Sequence, residues 1–209
     1  MATSRGPQIA EVGADDRLMS ARLAILFAIL AVVLELGSGV SYAAAAGFSA
    51  HLSVPPVTLL ASGSSGAGLM RWGSIVDMFG YLCIAPVVLY LRDRYVGAKF
   101  IDLYAVAGLA LVVIGSIGAV VMATAAPHLI DQYRTASPAM RQSLEPIFET
   151  LYRAVVEGMW QTLETIPAAV WLVGTAIALR GKAPRGVVWI LLLIGLPVAG
   201  IALARLSGL

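Results

Sequence analysis

Three carboxylates, Glu35, Asp77 and Glu164, stand inside stretches that carry almost no other charge. A charged side chain near the middle of a membrane span costs about 2.5 to 3.5 kcal/mol on insertion scales, so each acid is expected to face protein rather than lipid. The residues beside them are polar: Ser38, Ser41 and Tyr42 near Glu35, Ser74 and Tyr81 near Asp77, Gln161 and Thr165 near Glu164. Crowding acids away from water favours the protonated form of at least one of them, which makes a proton donor. A neutral carboxylic acid in an apolar pocket can protonate an alkene or epoxide, or move a proton across an allylic system, while ionised neighbours stabilise the developing cation.

That chemistry suits isomerisation or cyclisation of a lipophilic small molecule of isoprenoid, sterol-like or polyketide type. Glu164 or Asp77 would be the acid and Glu35 its partner. Trp160, Trp72 and Tyr81 would be apolar or cation-stabilising walls, and Gln161, Tyr42 and Glu157 complete the candidate substrate-binding set. The same acids could instead carry protons or a cation in a transporter or channel subunit. They could also only fix helix packing by hydrogen bonds, in a lipid-binding or assembly protein.

The elements that must hold these acids are membrane spans. With 59% hydrophobic and 12% charged residues and a mean hydropathy of +0.88, the chain lies far from soluble usage. Five runs are long enough to cross the hydrocarbon as helices: 21–43, 71–91, 102–124, 158–180 and 186–207. The runs are continuous rather than alternating, which excludes a closed barrel. The predicted fold is all-α, a single five-helix transmembrane domain over 21–209 behind a polar tail, 1–20, with outer loops at 44–70 and 125–145 that could fold over the surface as lids or serve as plain connectors.

Arg17 and Arg22, then Arg92, Arg94 and Lys99, then Arg180, Lys182 and Arg185 all fall at one end of this arrangement. By the positive-inside rule the N-terminus is cytoplasmic and the C-terminus extracytoplasmic, in a multi-pass protein of the cell membrane. Trp72 and Trp160 each precede an arginine by 20 residues, about the hydrocarbon thickness, and read as outer-interface belt residues. In that frame Glu35, Asp77 and Glu164 sit about 20 to 24 Å above the basic boundary, in one layer. Glu149, Arg153, Glu157 and Gln161 follow an i, i+4 ladder on a helix expected to start near Pro146, and Glu164 continues its face.

Other chemistries have less support. A net charge of +2 implies no nucleic-acid partner. His51 and His128 lack ligand spacing, so no metal is expected, and nothing calls for a cofactor. The two lysines, Lys99 and Lys182, lie at the boundary, which excludes a Schiff base within a span. The single cysteine, Cys83, excludes an intrachain disulfide. Gly108, Gly115 and Gly118, with Ala119, read as a close helix-packing face, and Pro86, Pro167 and Pro197 as kinks. The expected partners are membrane lipids and a lipophilic ligand, and a homo-oligomer is compatible with the pattern.

Overall fold

A computed structural model describes residues 14–48 and 55–207. His51 and most of the polar tail lie outside the described residues, as does the side chain of Arg17. Every regular element within them is helical: α1 Ala14–Ala45, α2 Pro56–Leu60, α3 Gly63–Arg94, α4 Ile101–Thr135, α5 Pro138–Tyr152, a π-helical segment Arg153–Leu163, α6 Thr165–Leu179 and α7 Arg185–Leu206. The π segment joins α5 to α6, so this run behaves as one irregular helix of 42 residues, Pro138–Leu179. With α1, α3, α4 and α7 it makes five helices long and apolar enough to cross a membrane.

The helices run up and down in sequence order. α1 packs on α3, α3 on α4, α4 on α6, and α6 on α7. At the basic end the reversals are short: Gly97 at φ +85° serves the turn after α3, and Gly181 at φ +77° the turn after α6, conformations that favour glycine. The outer faces of the first and last helices are largely apolar. On α1, Ile25, Leu26, Ile29, Val32, Val33 and Leu36 are exposed, and on α7 Ile190, Leu193, Ile194, Leu196 and Leu203. Continuous apolar surface on this scale suits hydrocarbon as solvent and would be a liability in water.

The helices are longer than the hydrophobic runs predicted. α4 has 35 residues, about 52 Å, well beyond the roughly 30 Å of hydrocarbon. It continues to Thr135, and α5 starts at Pro138 rather than near Pro146, with the Ser137 hydroxyl accepting from the Met140 N–H. Segment 125–145 is thus helix apart from Ala136 and Ser137, and His128 lies on α4, its ring bonded to Gln132. In 44–70, α2 is tucked in through Leu59 and Leu60, which are buried against Met122, Ala126, Ile130 and Phe148.

Two apolar clusters result. One, towards the basic end, includes Val88, Leu111, Trp171, Leu172 and Leu179. The other, at the opposite end, includes Met70, Met122, Ile130 and Phe148. Small residues on the helix faces admit aromatic rings rather than a neighbouring backbone: Trp171 lies over Gly108, Tyr81 over Gly115, Trp160 over Gly118, and Tyr104 over Gly174. The expected close-packing face of α4 exists, but rings fill it. This is the stronger solution in lipid, where apolar burial gives no drive and dispersion contacts must hold helices together.

Candidate functional site

The three acids lie between the two apolar clusters, each delivered by a different helix. Asp77 on α3 is buried, at 7% exposure. Glu35 on α1 lies against Gly80 of α3, which has no side chain to exclude it. The Glu35 and Asp77 carboxyl groups stand side by side, within hydrogen-bonding reach if one carries a proton, and Ser38 adjoins Asp77. Glu164 sits where the π segment gives way to α6. Its field reaches both Glu35 and Asp77.

Tyr81 joins this group to Glu164. Its hydroxyl lies 2.9 Å from both Oε1 and Oε2 of Glu164, a single donor shared by two acceptors. One turn towards the opposite end, Tyr42 and Ser74 meet at 2.6 Å. Ser74 donates its proton to the Met70 carbonyl at 2.8 Å, so the proton between Tyr42 and Ser74 comes from Tyr42. The Tyr42 ring meets Trp160 edge to face, 6.2 Å between centroids, and the Trp160 indole donates to the Gly115 carbonyl at 3.3 Å. Rings thus close the cluster on the side away from the basic end.

Two features give the arrangement chemical character. Among the described residues no ion pair involves Glu35, Asp77 or Glu164; the pairs that form are Arg92 with Asp93 and Asp102, and Arg153 with Glu149. The cluster is therefore anionic or protonated and has no resident cation. Glu35 Oε1, packed against Gly80, is also shielded from solvent, and no fixed donor on the protein reaches it. No group of three His, Cys, Asp or Glu side chains among the described residues has the arrangement of a metal site.

The structure brings together Glu35, Asp77, Glu164 and Tyr81, and sets Tyr42 and Trp160 above them. Trp72 stands elsewhere, 65% exposed on the outer surface of α3. Trp160 is not the lipid-facing belt residue its spacing suggested: its ring is turned inward onto Gly118 and Tyr42. Gln161 bonds Arg205 of α7 instead of extending a ladder. Glu157 is half-buried, and its carbonyl accepts from the Thr162 hydroxyl at 2.6 Å. Glu35, Asp77 and Glu164 line none of three clefts that open on the surface of the described bundle.

The ladder fails after its first rung for a local reason. Arg153 and Glu149 pair at 2.8 Å, but from Arg153 onward the turns widen and residues five apart meet. The Glu164 N–H bonds the Met159 carbonyl at 2.8 Å, so Glu157 and Glu164 no longer share the face that 3.6 residues per turn would give. Pro167 contributes by removing the N–H that would bond the Leu163 carbonyl. The Thr165 hydroxyl supplies alternatives, bonding the Thr162 carbonyl at 2.9 Å and that of Gln161 at 3.3 Å. Pro167 following Thr162 and Thr165 is the one sequence signal that could have located the irregularity.

No family model, no curated protein and no solved structure matches this chain. Fold and site define its class from within: a multi-pass, all-helical, membrane-compatible protein.

Proposed function

We propose that this protein binds a lipophilic small molecule beside α1, at the acid cluster, and isomerises or cyclises it by carboxylate acid–base chemistry in the outer half of the cell membrane. The observation that carries the reading is the convergence of three acids from three helices around Tyr81, with Glu35 Oε1 shielded and unpartnered. A purely structural acid would be expected to use its hydrogen-bonding capacity on the protein. Glu35 is only partly buried and α1 presents its far side to the surroundings, so a ligand dissolved in lipid could approach laterally.

The hydrogen bonds suggest how the roles divide. Glu164, which accepts from Tyr81 on both oxygens, suits the ionised partner that stabilises a cation and takes up a proton. The Glu35 and Asp77 pair, which can share a proton, suits the donor. Protonation of an alkene by that pair forms a C–H bond and leaves an adjacent carbocation; loss of a neighbouring proton to Glu164 gives the isomer with its double bond moved, and the site resets when that proton passes from Glu164 back to the pair. Asp77 keeps the role of acid expected from sequence, while Glu164 and Glu35 change places: Glu35 joins the donor and Glu164 becomes its partner.

The test is comparative profiling of membrane extracts by mass spectrometry from cells expressing the wild type, Glu35→Gln, Asp77→Asn or Glu164→Gln at matched levels of folded protein. The reading expects a substrate and an isomer of identical mass whose ratio reverts to that of cells without the protein in each variant. An identical profile with and without the wild-type protein would sink it.

A further inference from the structure

We propose that the cleft between α6 and α7 at the basic end binds an anionic phospholipid, with the phosphate held by Arg180 and Arg185 and the first acyl carbons lying along the apolar walls. The cleft holds about 700 Å³ and is independent of the acid cluster. Arg180 and Arg185 flank the turn through Gly181, and Ala176, Ile177, Val188 and Leu192 continue the walls towards the membrane.

The charges at its mouth are uncompensated. Arg92, at the same end of the bundle, is satisfied by Asp93 and Asp102. Arg180, Lys182 and Arg185 form no ion pair among the described residues, and the sequence contains no acid after Glu164. α7 begins at Arg185 without a side-chain cap, which turns the positive end of its dipole towards the same mouth. Two guanidinium groups and a helix start suit a phosphate, which arginine can grip with paired N–H groups.

The walls decide between a lipid and a free anion. Trp189, lining the cleft, is 62% exposed, and Ile177 is 64% exposed. A dissolved phosphate would leave this apolar surface unused, whereas a phospholipid covers it while its headgroup meets the arginines. An indole beside the headgroup level is the usual place for Trp in a membrane protein. Basic residues next to a leaflet attract anionic lipid in the same way.

The experiment uses the full chain purified in a neutral detergent and titrated separately with phosphatidylglycerol, phosphatidylcholine and inorganic phosphate, with bound lipid counted by native mass spectrometry. Phosphatidylglycerol should bind, and neither of the others should match it. Arg180→Gln and Arg185→Gln should each weaken binding about five-fold and the double variant about thirty-fold, whereas Arg134→Gln at the opposite end should change nothing. A second readout is quenching by phosphatidylglycerol with brominated chains: the part of the quenching that Trp189→Phe removes should be lost in the double variant, and should not appear with brominated phosphatidylcholine. Equal binding of phosphatidylcholine, binding of inorganic phosphate that displaces the lipid, or full affinity in the double variant would each overturn the proposal.

Discussion

Replacing Gly115 by alanine tests how the acid cluster is held. A Cβ at Gly115 would run into three atoms of the Tyr81 ring, on the ring whose hydroxyl bonds Glu164. The ring cannot slide freely, because Tyr81 is buried among Leu111, Val112 and Ala168. Overpacking of a filled interior costs about 1 to 3 kcal/mol, and a clash with three ring atoms belongs at the top of that range. Alanine recovers about 1 kcal/mol of helix propensity, leaving a net loss of about 2 kcal/mol. For a chain of this size that corresponds to a fall in Tm of about 4 to 8 °C. The measurement is thermal unfolding of the purified protein in detergent, followed by tryptophan fluorescence. Gly39→Ala on α1, where nothing lies within 4 Å of the added carbon, is the control and should be neutral or slightly stabilising. In a Tyr81→Ala background the ring is gone and only the helix-propensity gain of about 1 kcal/mol should remain, a non-additivity of about 3 kcal/mol between touching residues. A Gly115→Ala protein as stable as the wild type, or an undiminished penalty without the ring, would refute the packing argument.

Two further outcomes follow from the fold. Ser137→Ala removes the oxygen that accepts from the Met140 N–H at 3.4 Å, and should lower stability by about 0.5 to 1 kcal/mol in the same unfolding assay, the low end for a helix cap because the bond is long. For the topology, Thr135→Cys should react with a membrane-impermeant thiol reagent on intact cells and Lys182→Cys only after permeabilisation, while native Cys83, buried at 8% exposure, stays protected in both; labelling of both new cysteines from one side would contradict the up-and-down bundle.

The class of fold was legible without coordinates, because it depends on runs of residue type. Continuous apolar stretches longer than the hydrocarbon thickness can satisfy their backbone only as helices, and five such helices are present. The common level of Glu35, Asp77 and Glu164 was legible for a similar reason: distance along a helix is counted in residues, at a fixed rise. The same count misplaced helix ends, since α4 and α5 extend through 125–145 in sequence polar enough to resemble a connector.

What lies around a helix, rather than along it, was decided only by the tertiary structure. Trp160 has the depth of a belt residue, yet the wide turns of the π segment and the absence of a side chain at Gly118 turn its ring inward. Glu157 and Glu164 are seven residues apart and would share a face on an α-helix, but not across Arg153–Leu163, where residues five apart meet. Rotational position accumulates from every turn, so one local change in hydrogen-bonding pattern moves everything beyond it. The sequence by itself determined that three acids enter an apolar bundle at one height. Only packing decided that Glu35 would rest on Gly80 with one oxygen unpartnered and that Tyr81, seated on Gly115, would hold Glu164, because those contacts depend on which helix faces which.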